Sequence, residues 1–457
     1  MYSWFKKIYT MKSILLTVGF FISIKTFAQS NNLDTIKFQM RYAAKQGLLD
    51  IYYPRNTDTL YGGYLSTLTY DVKPVGPQDK MIVTQARHTW STAKAAMFYH
   101  DTSYISKSAH GFYFLRDKMW DKQYGGFYNL VARDGTPKSI IKEAYGNAFA
   151  MYGLSAYYEC SHDTAALKLA KTAFMWLEKN SHDSIYKGYY QHLNRDGSHV
   201  IRTPDIKNTS DIGYKDQNSS IHLLEALTEL YKVWPDMLVR ERLQEMLELI
   251  RDKIVTPKGW LQMYFTYDWK PVSYRDMPDS IIKKNHYLDH VSFGHDVETA
   301  YLMQEADETL NGRASEKTLA VGKKMVDHAL HNGWDNTVGG FYDEGYYFKN
   351  KPGLTITYKS KNWWAQAEAL NTLLMFSYMY PNDSLHYLPH FFKEWQYVQT
   401  YLIDHQYGDW YEEGLDNSPE YKTKPKAHIW KGSYHNFRAL MNCIKRIDDN
   451  ENKTGKE

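Results

Sequence analysis

Two cysteines in 457 residues cannot build a disulfide framework, and neither Cys160 nor Cys443 stands in a CxxC or other metal-ligand spacing, which excludes a thiolate zinc site. Both are expected to be unpaired. An excess of one charge is also missing: 55 lysines and arginines against 52 aspartates and glutamates leave a formal charge of +3, with no electrostatic footprint for a polyphosphate backbone. Nucleic acid is not an expected partner. Long apolar runs are absent too, since the stretch Ile14 to Ile24 falls well short of the ~20 residues a spanning helix needs. Lys6, Lys7 and Lys12 precede that stretch and Thr26-Phe27-Ala28 follow it, the pattern of a cleaved export signal. Residues 1–28 are read as that signal and 29–457 as one domain, periplasmic or secreted, with no membrane association after cleavage.

Motifs for bound groups are equally scarce. No GxGxxG follows a strand, Gly322-Lys323 lacks the glycine and Ser/Thr of a phosphate loop, and HExxH, EF-hand and GxSxG patterns do not occur. No cofactor and no metal are expected, although His286, His290 and His295 cluster and His328 and His331 lie three apart.

Aromatic residues, by contrast, are plentiful. The chain carries 40 tyrosines and 13 tryptophans, rings whose apolar faces and polar edges suit a cavity that grips sugar. A glycine-aromatic punctuation recurs at Tyr61-Gly62-Gly63-Tyr64, Tyr124-Gly125-Gly126-Phe127, Tyr186-Lys187-Gly188-Tyr189, Lys258-Gly259-Trp260, Val338-Gly339-Gly340-Phe341 and Tyr407-Gly408-Asp409-Trp410. Successive turns are about 60 to 80 residues apart, room for two helices each. Between them the apolar spacing is helical, as in Ala165-Leu167-Leu169-Ala170-Ala173-Phe174-Leu177. Asp163 stands at an N-cap position, and Pro235 and Pro381 stand just past helix ends. These features predict an all-α fold, an (α/α)6 barrel of twelve helices, with short β-hairpins at one end suggested by Phe127-Tyr128-Asn129-Leu130. Inner helices are expected to begin near Gln78, Ser139, Lys215, Gly294, Asn362 and Ser433. Outer ones, such as Asp236 to Val255 and Ala314 to Leu330, are far more charged.

Each expected inner helix carries polar and aromatic residues three or four apart, and so on one face: Arg87 with Trp90, Asn218 with His222, His295 with Glu298, Trp364 with Glu368, His435 with Arg438. Three histidines near the starts of three different inner helices would meet at the barrel mouth.

The stretches Gly111-Phe112-Tyr113-Phe114-Leu115-Arg116-Asp117, Trp120-Asp121 to Asp134-Gly135, Ser292-Phe293-Gly294-His295-Asp296-Val297-Glu298, Trp363-Trp364-Ala365-Gln366-Ala367-Glu368-Ala369 and Trp430-Lys431-Gly432-Ser433-Tyr434-His435-Asn436 together resemble the N-acylglucosamine 2-epimerase superfamily, most closely its cellobiose or mannobiose 2-epimerase branch. The resemblance runs in order along nearly all of 29–457. It implies that His295 and His435 are an acid/base pair with His222 auxiliary, that Arg87 lies over a developing enediolate, and that Glu298 joins this catalytic group. By the same resemblance Tyr145, Asn218, Trp363, Trp364, Glu368 and Trp430 contact the sugar. Three positions depart from the branch: Ser220 replaces a histidine, Gly432-Ser433 replaces Cys-Pro, and Phe437 replaces a small residue.

The residue types suit the chemistry. Removing a proton α to an aldehyde needs a base near working pH, and imidazole at ~6.5 serves better than carboxylate. The expected activity is a cofactor-independent inversion of C2 at the reducing end of a β-1,4-linked disaccharide, through a cis-enediolate. Alternatives are an aldose-ketose isomerase at the same site, a glycoside hydrolase using Glu298 and Glu368, and a non-catalytic sugar-binding barrel. The expected partner is a reducing disaccharide or aldose, and the expected state a monomer or weak homodimer.

Overall fold

Amphipathic and aromatic helices alternate along the chain, and the computed structural model, which describes residues 33–455, assembles them pairwise into a closed ring. The export segment 1–28 lies outside the described residues. Twelve long helices follow in order. They are α1 (33–55), α2 (Ile82–Tyr99), α3 (Ser103–Phe114, running on through Met119), α4 (Ala144–Ser161), α5 (Thr164–Asn180) and α6 (Gln217–Val233). The remainder are α7 (Met237–Leu249, running on through Ile254), α8 (Phe293–Asn311), α9 (Glu316–Gly333), α10 (Trp363–Met379), α11 (Tyr387–Tyr397, running on through Leu402) and α12 (Tyr434–Thr454). A short helix, Asp279–Asn285, precedes α8.

The even-numbered helices form the inner ring, α2–α4–α6–α8–α10–α12, which closes from α12 back to α2. Such helices have neighbours on every side, so α10 buries almost every residue from Trp363 to Ser377. The odd-numbered helices keep one charged face in water. Local caps follow the sequence signals: Asp163 accepts the Ala165 N–H, Asn362 that of Ala365 and Asp216 that of Ser219. Cys160 and Cys443 are both free thiols. Among the described residues no helix is long and apolar enough to cross a membrane.

Two expectations need correction. Helices α2 and α4 start at Ile82 and Ala144 rather than near Gln78 and Ser139, because the backbone just before each is committed to a sheet. Lys80–Met81 (β1) pairs with Leu130–Val131 (β2), and Lys142–Glu143 (β3) with His192–Leu193 (β4). The strands are accordingly not simple hairpins. Most are two-residue ladders between one repeat and the next, including Lys215–Asp216 (β5) with Tyr264–Phe265 (β6). The exception is a three-stranded sheet in which Val291–Ser292 (β7) pairs with Glu344–Tyr346 (β8), and β8 forms a true hairpin with Thr355–Tyr358 (β9). β1, β3, β5 and β7 run directly into α2, α4, α6 and α8, while only single bridges, Asn362 with Glu413 and His428 with Lys431, precede α10 and α12.

Candidate active site

At the N-terminal end of the inner ring the side chains from the first two turns of the inner helices converge on a cavity of about 270 Å³. Its wall holds Arg87 from α2, Tyr145 from α4, Asn218 and His222 from α6, His295 and Glu298 from α8, Trp363 and Trp364 from α10, and His435 from α12. Trp430, 45% exposed on the loop before α12, closes the rim. Ten of the eleven candidate residues thus meet in one place. The eleventh, Glu368, lies behind the wall, fully buried against His435. A wider outer cavity of about 610 Å³ shares Tyr145, Asn218, His295, Trp364 and Trp430 and opens toward the β-strands.

Each histidine is oriented through its Nδ1. His222 Nδ1 is 2.9 Å from Glu225 Oε2, His295 Nδ1 is 2.9 Å from Ser292 Oγ, and His435 Nδ1 is 2.7 Å from Glu368 Oε1. Such contacts fix ring orientation and decide which nitrogen carries a proton. The indole of Trp364 lies against both His295 and His435, at 4.6 and 5.9 Å between ring centres.

Burial dominates the electrostatics. It pushes His295 down to about 3, with His222, His290 and Arg87 adding to the effect, and holds His435 well below the usual imidazole range, with Arg87 and Arg438 contributing. Both rings are therefore neutral at physiological pH. Burial lifts Glu368 above the carboxylate range, and Glu298 and Glu225 reinforce this against the opposing pull of Arg438. Glu225 goes the other way, to about 2: burial alone would raise it, but Arg438, His222 and Tyr434 outweigh that.

Glu225, Arg438 and Tyr434 form the site's floor; of the three, only Arg438 is set beside a site histidine in the sequence reading, and none is assigned a role there. Arg438 bonds Glu225, lies 2.5 Å from Glu298 and 2.7 Å from Glu368, and so ties three carboxylates together beneath the histidines. Tyr434 donates to Glu225 at 2.5 Å. The available signal was spacing: Glu225 and Arg438 stand three residues after His222 and His435.

Arg87 differs from Arg438. It is buried, its guanidinium packs over Phe149 and Tyr434 at 4.4 and 5.0 Å, and it donates to the Tyr145 hydroxyl at 3.2 Å. Its Nε has no partner, and among the described residues no carboxylate lies within ion-pair distance of it. A buried cation without a counter-ion is costly, and this one borders the cavity.

The three departures have structural counterparts. Ser220, in the first turn of α6, donates to the carbonyl of its N-cap, Asp216. Ser433 bonds the Tyr53 hydroxyl at 2.8 Å, which in turn contacts His88 at 2.9 Å. Gly432 makes room for that imidazole, because a Cβ there would meet His88 Cε1 at 2.8 Å. Phe437 is fully buried at the ring closure.

The chain is similar to known proteins along most of its length. The family model for N-acylglucosamine 2-epimerase (GlcNAc 2-epimerase) matches residues 63–439. The cellobiose 2-epimerase of Ruminococcus albus is 30% identical over 395 residues, which are 84% of this chain and 92% of that one. The D-mannose isomerase of Thermobifida fusca is 24% identical over 368 residues, 78% of this chain and 84% of that one. Among solved structures, the cellobiose 2-epimerase of Spirochaeta thermophila DSM 6192 superposes with a TM-score of 0.79 at 28% identity, covering 92% of this chain and 98% of its own.

Proposed function

The chain belongs to the N-acylglucosamine 2-epimerase family, is a carbohydrate-isomerising enzyme with its resemblance centred on the cellobiose 2-epimerases, and on that premise we propose that it inverts C2 of the reducing-end sugar of a β-1,4-linked disaccharide, cellobiose or mannobiose. The observation that carries this reading is Arg87, a buried cation with no counter-ion among the described residues, bordering a cavity with two neutral imidazoles. An enediolate is the anion such a site lacks.

The steps follow from the side chains. With the sugar open to its aldehyde, the His295 Nε2 lone pair takes the C2 proton, and the charge left on O1 faces Arg87. On the opposite face His435 donates Nε2–H to C2 while the proton held by Glu368 passes to Nδ1. The carbon has lost one proton and gained one with inverted configuration; Glu368 is left ionised and His295 protonated. From that state the reverse reaction balances: His435, its Nδ1–H donating to ionised Glu368, takes the C2 proton of the other epimer at Nε2 while protonated His295 returns one; exchange of one proton each with solvent resets the pair for another forward turnover. Glu368 thus acts as a proton store for His435, in keeping with its raised affinity for a proton. Trp364 and Trp430 offer ring faces to the two sugars, and the outer cavity has room for the non-reacting one.

A second reading, aldose-ketose isomerisation, is favoured by the similarity to D-mannose isomerase, since returning the proton to C1 instead of C2 uses the same enediolate. One experiment separates them. In D2O, NMR should show solvent deuterium entering at C2 of both disaccharide epimers with the glycosidic bond intact. A ketose as the dominant early product supports isomerisation, monosaccharide release supports hydrolysis, and no exchange with any reducing sugar refutes both proton-transfer readings. Export remains part of the proposal: N-terminal sequencing of the mature protein should begin at Gln29.

A further inference from the structure

Beyond the catalytic imidazoles, three more lone-pair donors meet at the same mouth. His286 begins the single helical turn after Asp279–Asn285, His290 immediately precedes β7, and Glu344 opens β8, opposite Ser292 in the ladder. One ligand atom from each, a nitrogen from either ring and a carboxylate oxygen, lie within 4.8 Å of one another. His286 Nδ1 is 3.3 Å from Glu344 Oε2, and His290 Nε2 is 3.6 Å from Oε1. No hydrogen bond joins them: Oε2 is buried without a partner, and 3.6 Å is too long.

The far side of each ring explains why. His290 Nδ1 is 3.1 Å from the Tyr287 carbonyl, which can only accept, so Nδ1 carries the proton and Nε2 presents a lone pair to Glu344. His286 Nε2 is 3.1 Å from Thr357 Oγ1; donation there leaves Nδ1 as a lone pair as well. Ligating histidines are commonly braced in this way, the outer nitrogen donating to a carbonyl or hydroxyl while the inner one holds the metal. Burial, reinforced by Asp343, pushes Glu344 up to about 8, so a proton or a cation must lie between its carboxyl group and the two lone pairs, and a metal ion binds by displacing that proton. The buried group Glu298, Glu368 and His435 has similar donors, but there the Arg438 guanidinium supplies the positive charge. Among the described residues no lysine or arginine pairs with Glu344.

We propose that His286, His290 and Glu344 bind a divalent transition-metal ion, zinc being the best match to two imidazoles and one carboxylate. The site is accessory to the reaction. Three protein ligands leave a tetrahedral ion one open position, for water or a sugar hydroxyl. His290 and Glu344 line the outer cavity together with His295 and Trp364, so an ion held there borders the path to the catalytic pocket. It also acts on the strand whose Ser292 orients His295.

The test is titration of the untagged full-length chain, stripped with chelator and dialysed, with zinc chloride by calorimetry. One equivalent per chain is expected. Glu344→Gln and His290→Gln should each weaken uptake by more than about 10-fold, whereas His435→Asn and the surface variant His331→Gln should bind as the parent does. Circular dichroism checks that each variant folds. Cobalt(II) bound to the parent protein should show the intense visible absorption of a tetrahedral imidazole-carboxylate site, a readout independent of every variant. The proposal is overturned by absence of stoichiometric uptake in the parent, by unchanged uptake in Glu344→Gln and His290→Gln, by loss of uptake in His435→Asn alone, or by a cobalt spectrum of the aqua ion.

Discussion

His435 and Glu368 illustrate how one proton decides what a side chain can do. If Glu368 holds the proton, it donates to Nδ1 and the ring presents Nε2–H to the cavity; if Glu368 is ionised, Nδ1–H donates to it and Nε2 is a base. Replacing His435 or His295 with asparagine should lower kcat by about 10²- to 10⁴-fold with the fold intact, and either variant retaining near-parental turnover would remove that residue from the mechanism. Glu368→Gln should also reduce kcat, because the amide cannot release its proton to Nδ1, while KM changes little. His88 is a different kind of histidine. Burial alone lowers it to about 3, so the folded protein keeps it neutral while the unfolded chain takes up a proton near 6.5. Below that value the unfolded state binds more protons, and stability falls as pH drops from about 6.5 toward 3, by about 1.4 kcal/mol per pH unit for each such residue. Urea unfolding at pH 6.0 and 4.5 should therefore show a shallower loss for His88→Gln than for the parent; equal slopes would count against a neutral buried ring.

Between residue and ring lies a repeated element that the sequence concealed. In five of the six repeats an aspartate ahead of the glycine turn caps that turn and pairs with a buried lysine ahead of the next inner helix, two residues before it in four cases and eight in the last: Asp58 with Lys80, Asp121 with Lys142, Asp183 with Lys215, Asp335 with Lys361, Asp404 with Lys426. Each lysine also donates to a carbonyl of the turn, so it fastens turn to helix. The glycine-aromatic turns, twelve helices and four of the six inner starts were legible because periodicity and turn chemistry are local. The ladders and lysine pairs were not, because their partners are distant in sequence and the aspartate-to-lysine separation varies from 21 to 32 residues. The same reason hid Glu225, whose role is visible only once Arg438, from the other end of the chain, lies against it. The remaining repeat has Thr256 at its turn and Val291 in the strand before α8, so both charges are missing together. That exchange suggests a test at Asp183 and Lys215. Lys215→Val alone strands a buried carboxylate and should cost about 3–5 kcal/mol, whereas adding Asp183→Thr should recover most of it. A double variant no more stable than the single one would show that the pair stabilises the fold beyond charge compensation.

Closing the molecule falls to the two ends of the chain, since α1 packs on α12 and α12 returns to α2. Two kinds of contact hold α1 in place, and they differ in weight. Lys37 with Glu451 and Arg41 with Asp448 are ion pairs at the surface, where screening and side-chain entropy leave about 0–1 kcal/mol each. Beneath them Met40, Leu48, Leu49 and Tyr52 are fully buried, and the Tyr52 hydroxyl donates to Asp409 at 3.0 Å across the closure. Tyr53, the residue before Pro54, leaves helical geometry and meets both His88 on α2 and Ser433 at the start of α12. The junction between the first and last inner helices is therefore held by α1 just below the loop that carries Trp430. Lys37→Ala with Arg41→Ala should leave the urea midpoint nearly unchanged, whereas Leu48→Ala should cost about 2–5 kcal/mol. Tyr53→Phe keeps the ring but removes the hydroxyl between His88 and Ser433. It should raise KM for the disaccharide more than it lowers kcat, because it loosens the approach to His435 without touching its Glu368 partner. An unchanged KM would show that the closure of the ring and the shape of the mouth are independent.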